Sequence, residues 1–354
     1  MTTEIVANIH IHTKYSDGTK YHKEIAQIAA ECGLDVIITT DHNIFVSGFE
    51  GYHFFYGRQI LLIAGEEIHD KNRIPQKSHL LTLGTDRSHV RFAGDPQRLV
   101  DQINKDGGLS FIAHAYDPAL PAFGEDDLSW EDWSVTGFTG LEIWNNLSEF
   151  KIQVKHKLDA LLFALFPKFL AVKPPEQILK RWDTLLLEGR HVVGIGGADA
   201  HTLLYHIGPF IKEVFPYRYH FRTINDHIVL DHPLSGSAEN DRISILEALK
   251  MGNLFIANDG VKPAQGFRFS AHSGEKTFSM GSCQKFRDGL VLKADLPAHA
   301  DCRLIKNGLV VAEFDHVKEI NYSVTSPGIY RLECYRSYLF KKRGWIFTNP
   351  ITIE

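Results

Sequence analysis

Apolar runs of strand length recur through the first 200 residues, and most of them end in a histidine or a carboxylate. Ile5-Val6-Ala7-Asn8-Ile9-His10-Ile11-His12 is the first. Alternation along a strand puts His10 and His12 on one face and Ile9 and Ile11 on the other. Val36–Thr40 runs into Asp41-His42-Asn43, and Ile60–Ala64 runs into Gly65-Glu66-Glu67-Ile68. His79–Thr85 opens on a histidine, Leu109–Ala113 ends in His114, and Gly140–Trp144 is followed by Asn145. Val192–Gly196 leads into Ala198-Asp199-Ala200-His201. A chain of this kind has to bring several strand ends to one place.

Between the runs lie helical patterns. Ile25, Ile28, Ala29 and Cys32 share one helix face, and Gly33 stops the segment. Asp95-Pro96 reads as N-cap and first residue of a helix carrying Leu99, Val100 and Ile103. Further helices are expected over 147–165 and 175–189. A last one, Asp241–Gly252, is expected to be capped by Asp241. Repeated strand–helix units imply a mainly parallel α/β sheet, and seven such strands suit a closed barrel with its chemistry at the C-terminal rim. His79 opens its strand, yet residues 69–78 are polar with no helical period. A hairpin there makes the fourth strand antiparallel and returns His79 to the common rim.

From about Pro263 the pattern changes to short alternating runs, with turns at Asp288-Gly289, Asn307-Gly308 and Ser326-Pro327-Gly328. That spacing predicts a small all-β sandwich, and Asn-Gly between apolar runs predicts a two-residue hairpin turn. The division expected is 1–260 and 261–354.

Composition narrows the function. With 44% hydrophobic and 23% charged residues, the chain has the make-up of an ordinary globular protein. A net charge of −5 argues against a general nucleic-acid coat. No apolar run reaches membrane-spanning length, and the N-terminus has no apolar leader pattern, so a cytoplasmic location is expected. The four cysteines form no CxxC pair and no disulfide framework. No P-loop, Gly-x-Ser-x-Gly or dinucleotide motif stands in a credible place, which argues against those chemistries.

Histidine is the unusual component, at 19 residues. Nine side chains form a candidate metal shell: His10, His12, Asp17, His42, Glu67, His79, His114, Asp199 and His201. Strand alternation alone does not choose between Glu66 and Glu67. Imidazoles mixed with carboxylates suit zinc, manganese or iron, and nine donors exceed the capacity of one ion. Asp41 is expected to orient a ligand imidazole, and Glu142 and Asn145 to stand at the pocket. His206 and His227 are not counted as ligands.

In this order the segments His10-x-His12-x(4)-Asp17-Gly18, Thr40-Asp41-His42-Asn43, Gly65-x-Glu67-Ile68, His79-Leu80-Leu81, Ala113-His114 and Asp199-Ala200-His201 resemble the polymerase and histidinol phosphatase (PHP) metallohydrolase superfamily. The resemblance covers about residues 5–260 and all nine ligand positions. It selects Glu67 over Glu66 and implies a distorted seven-stranded barrel. It also implies that His10, His12, Glu67 and Asp199 bind one ion. Glu67, His79 and His114 would bind a second, and Asp17, His42 and His201 a third. The chain departs from many relatives after His114, where Ala115 stands in place of proline, and this bears on substrate shape. The C-terminal tail resembles a branch that includes relatives of carbamate-cleaving hydrolases.

The function expected is a metal-dependent phosphoesterase acting on a small phosphorylated molecule, with hydroxide supplied at two or three divalent ions. Asp17, Glu67 and Asp199 are the catalytic carboxylates, and Arg222 (with Lys14 as the lesser candidate) is expected to clamp the phosphate. Neither a membrane nor a nucleic acid larger than a nucleotide is expected as a partner. Two alternatives remain: attack on an ester, amide or carbamate at the same site, and a non-catalytic carbohydrate- or protein-binding module.

Overall fold

The computed structural model describes residues 2–207 and 210–354, leaving aside the side chains of 205–211. Strand β1 (Thr3–Ile11) is followed by helix α1 (His22–Cys32), β2 (Val36–Thr39), and a hairpin of β3 (Gly51–Phe55) and β4 (Arg58–Ile68). Then come β5 (Leu80–Leu83), α2 (Pro96–Lys105), β6 (Leu109–Ile112) and β7 (Gly140–Asn145). Helices α3 (Asn146–Gln153), α4 (Lys157–Leu165) and α5 (Glu176–Leu187) precede β8 (Val193–Gly197). Next are β9 (Leu203–Ile207) and β10 (Phe210–Val214), α6 (Tyr217–His220), β11 (Ile224–Leu230), α7 (Ala238–Met251) and β12 (Leu254–Asn258).

The result is a mixed α/β fold. Strands β1, β2 and β4 pair in parallel, as do β6, β7 and β8. β5 runs antiparallel to both β4 and β6, with Ile68 opposite Leu80, as the polar link at 69–78 implies. The chain beyond β8 meets the end of β1 through an Ile11–Ala200 bridge, so the run of strands returns toward its start. The strands read as continuous apolar runs because both faces are covered. Ile5, Ala7, Ile9, Val36, Ile38, Ile63, Phe111 and Ile195 pack in one cluster. Val6, Ile11, Ile37 and Leu62 pack with Ile25 and Ala29 of α1 in another.

Ile9 and Ile11 thus go to different clusters, against the expectation from alternation. The register slips between them, and His10 is the extra residue, with φ at 102°. The bulge reverses the phase of the strand and sends His10 inward with His12.

Other departures are local. β3, β11 and β12 are strands that the sequence reading does not include; β11 carries Asn225, Asp226 and His227 within a buried run. The 147–165 segment is two helices, separated at Val154. The last helix is capped by Ser237, whose side chain accepts from Asn240 N. Asp241 instead accepts from Tyr52, Ser235 and Gly236.

The C-terminal part is almost wholly antiparallel. Its strands are β13 (Arg268–Ser273), β14 (Lys276–Ser279), β15 (Cys283–Gln284), β16 (Val291–Lys306), β17 (Leu309–Ser323), β18 (Gly328–Tyr338), β19 (Lys341–Thr348) and β20 (Ile351–Ile353). β16 and β17 are each one long strand where the sequence suggests two, because bulges near Ala300 interrupt the alternation. Asn307 and Gly308 turn the hairpin at φ 52° and 77°. β12 pairs with β19, so one ladder joins the two parts of the chain. All four cysteines are free. No helix among the described residues is long and apolar enough to cross a membrane.

A buried charged clasp also ties the parts together. The His227 ring lies between Glu4 Oε1 at 2.8 Å and Asp259 Oδ2 at 3.1 Å. Glu4 also accepts from Gly266 N and pairs with Arg268. Burial works against charge on His227, but Asp259 and Glu4 overcome it and raise its pKa to about 9. The folded state therefore holds this proton more tightly than the unfolded chain. The stabilisation is complete below pH 6.5 and is lost as the pH rises through 9. In denaturant titrations, the stability gap between the protein and His227→Asn should narrow by about 3 kcal/mol from pH 6.5 to 9.5. A gap that stays constant over that range would contradict the assignment.

Candidate metal centre

Glu67 organises the site. It lies near the end of β4 and has no exposed surface. Its Oε2 is 3.1 Å from His10 Nε2, 3.2 Å from His12 Nε2 and 3.1 Å from His42 Nδ1. Its Oε1 is 2.8 Å from His79 Nδ1 and 2.9 Å from His114 Nε2. Glu66 points the other way and accepts from Ser88 Oγ and His89 N.

Asp199 joins from the loop after β8. Its Oδ1 is 3.1 Å from His12 Nε2 and 3.5 Å from both His10 Nε2 and His201 Nδ1. Asp17 lies on the outer side, with its oxygens 3.6 Å from His12 Nδ1 and from His42 Nε2. Within these contacts, donor atoms gather as His10–His12–Glu67–Asp199, as Glu67–His79–His114, and as His12–Asp17–His201. A fourth gathering, His42–His69–His79, includes a residue outside the nine.

The surrounding residues fix this geometry. Asp41 accepts from Thr13 N, Thr13 Oγ1 and Ser16 Oγ at 2.6–2.7 Å. It anchors the loop that carries Asp17, where the sequence reading gave it an imidazole partner. Gly18 follows because a Cβ there would meet His12 O at 2.3 Å and Tyr217 Oη at 2.6 Å. Glu142 Oε1 is 2.9 Å from His10 Nδ1, while its Oε2 accepts from His114 N and Asn145 Nδ2. A carboxylate on Nδ1 leaves Nε2 as the free donor atom of His10. Glu142 occupies space that only a glycine at 197 leaves open, since a Cβ there would lie 1.3 Å from Oε1.

Charge follows from this crowding. Burial opposes ionisation of Glu67, yet His42, His10 and His79 hold its carboxyl well below the usual range. Asp199 is likewise lowered against its burial by His10, His12 and His201. Despite burial, the carboxylates raise His12 to about 10 and His114 to about 9. Burial, reinforced by His79, lowers His69 to about 3. The pocket therefore draws positive charge toward its carboxylates. Six imidazoles and three carboxylates brought together, with His114 keeping a buried Nδ1 without a hydrogen-bond partner, fit divalent transition metals.

The structure does not gather Arg222 with the nine. It follows α6 on the outer wall and lines a separate cavity of about 360 Å³ with Lys168, Arg218, Tyr219 and Tyr338. Its sequence position after the last motif gave no sign of that direction. Lys14 lies over the Tyr21 ring. The basic side chain linked most directly to the centre is Lys151, 2.6 Å from Asp117 Oδ2, and Asp117 acts on His114 by charge. His206 has its side chain outside the described set, and His227 belongs to the clasp. Sequence reasoning missed His69, although it follows Glu67-Ile68 and so sits two positions along the same strand end.

No family model matches the chain. It is 28% identical over 138 residues to an uncharacterized protein of Methanocaldococcus jannaschii, covering 34% of this chain and 72% of that protein. It is similar to a two-domain protein from Bacteroides vulgatus described as containing a predicted PHP-like metal-dependent phosphoesterase. That likeness spans 99% of this chain and 95% of the other at 13% identity, with a TM-score of 0.46. A structure from Bifidobacterium adolescentis, whose metal-dependent phosphoesterase activity is likewise an assignment, matches 58% of this chain and 92% of its own. Its identity is 17% and its TM-score 0.37. Neither likeness bears on what the site does, which rests on the side chains above.

Gly197→Ala tests the support of the centre. The added methyl must push Glu142 off His10, so transition-metal affinity should fall roughly 10–100-fold, the usual cost of losing such a partner. Isothermal titration of the chelator-treated protein with Zn(II) measures this, and unchanged affinity would remove Glu142 from the role.

Proposed function

We propose that this chain is a metal-dependent hydrolase of the PHP type that cleaves a phosphate ester of a small molecule. Residues 1–260 would form its barrel and 261–354 an adjoining β-sandwich. The observation that carries the reading is Glu67, buried with both oxygens against five imidazoles at the ends of strands that meet at one rim. Ions held by His10, His12, Glu67 and Asp199, by Glu67, His79 and His114, and by Asp17, His42 and His201 would lower the pKa of a bound water and offset phosphoryl charge.

The protein's own part is positional. Glu142 orients His10, Asn145 bridges Glu142 toward Asp199, and Asp41 holds the Asp17 loop. Asp17, His42 and His201 have side chains 48, 25 and 20% exposed, whereas those of His10, His12 and Glu67 are closed off. Substrate therefore approaches from the Asp17 side.

A second reading, attack on an ester, amide or carbamate carbonyl, draws on the position of the basic residues. Arg222 lines another cavity and Lys151 is paired with Asp117. A carbonyl develops one oxyanion and needs no separate basic clamp.

Phosphomonoesters, phosphodiesters, aryl esters and carbamates offered to the metal-loaded protein distinguish the two. Turnover of a phosphoester that falls at least about 10³-fold in Glu67→Ala, as expected for loss of a group central to metal-assisted catalysis, supports the first reading. Carbonyl turnover with no phosphoester activity transfers the assignment to the second. A metal-loaded protein inert toward the whole panel, or an active Glu67→Ala, counts against both.

A further inference from the structure

We propose that His69 is a tenth metal donor, and that His42, His69 and His79 form an alternative seat for the ion that Glu67, His79 and His114 would otherwise hold. This rests on the reading of the centre as a metal site and extends it to a residue outside the nine.

The His69 side chain is buried, with the residue 7% exposed, and its Nδ1 has no hydrogen-bond partner. A buried ring nitrogen left unpaired is costly, so it calls for a ligand. Its ring centroid is 4.3 Å from that of His79 and 5.2 Å from that of His42. One nitrogen from each of the three lies within 4.8 Å of the others. The backbone holds this arrangement. His69 N donates to Asn43 Oδ1 at 3.0 Å, and Asn43 N donates to Glu67 O at 2.8 Å. The turn carrying His42 and the strand end carrying Glu67 and His69 are thereby locked together. Three ring lone pairs gathered together have no donor among them, and a cation satisfies all three. A nitrogen-only set suits zinc, copper, iron or nickel and disfavours magnesium and calcium.

His79 decides between an additional ion and an alternative one. Its Nε2 lies 2.8 Å from Gln76 O, which requires N–H there and leaves Nδ1 as its single lone pair. The two groups that share His79 therefore exclude each other. The ion can rest against Glu67 and His114 or against His42 and His69; in the second case the third ion keeps Asp17 and His201, and the number of ions per chain does not change.

Zn(II) binding is counted by competition with a chromophoric chelator on the full chain and on His69→Ala, His114→Ala and the double variant. Each single variant should keep the wild-type number of ions, because the other seat remains. The double variant should lose one ion per chain. Co(II) bound to His114→Ala should show a visible spectrum that changes when His69 is also removed. A double variant that binds as many ions as the wild type, or a His114→Ala protein that already lacks one, overturns the proposal while leaving the metal centre intact. A wild type that binds no metal overturns both. If His69→Ala does not fold, His69→Gln keeps the side-chain volume and gives the same count.

Discussion

A carboxylate with no exposed surface has to be neutralised where it sits, and Glu67 imposes that condition on everything around it. Water cannot supply the compensation, so four strand ends deliver five imidazoles to its two oxygens. This is why the apolar runs finish in histidines and why β5 is reversed. A parallel β5 would begin at the opposite end of the sheet and leave Oε1 short of His79. The same demand acts on Asp199, which shares His10 and His12 with Glu67.

Aiming so many side chains inward strains the backbone. His10, His114 and Asp199 have φ of 102°, 25° and 50°, a region that non-glycine residues seldom occupy. Each is held from both sides. Ala200 N donates to His10 O, Glu142 accepts from His114 N, and the Ile11–Ala200 bridge fixes the chain just after Asp199. Strain of this kind, on the order of 1–3 kcal/mol per residue, persists only where the surroundings allow no alternative. The two apolar clusters on either face of the strands supply that rigidity.

The donors were legible in the sequence because metal chemistry restricts residue type and strand ends restrict position. The reversal of β5 was legible because a short polar link cannot make a parallel crossover. What escaped depends on direction in space. The bulge at His10 changes the phase of a strand without changing its composition. β11 is buried but polar, since Asn225, Asp226 and His227 find partners there, so it does not read as a strand. Glu142 and Gly197 act as a complementary pair separated by more than fifty residues, which no local pattern reveals. Arg222 is the converse, a residue near the motifs in sequence whose side chain turns to another wall.

The C-terminal strands help to hold the wall behind Glu142. Trp144, two residues on, packs edge-on against Phe347 of β19 at 5.5 Å and donates to Glu149 Oε2 at 2.7 Å. Glu149 also accepts from Gln153, Val172 N and Lys173 N, fixing residues 172–173 against α3. From the other side Arg343 donates to Ala171 O and Phe169 O, and Gly344 N donates to Val172 O. The segment around residue 171 is thus hydrogen-bonded on one side to α3 and on the other to β19. β7 is the strand that delivers both Glu142 and Asn145 to the centre. Losing the C-terminal strands would uncover its Trp144 and release the partner segment of Glu149. The second part of the chain therefore serves the metal centre mechanically, through the strand that orients His10, whether or not it contacts substrate.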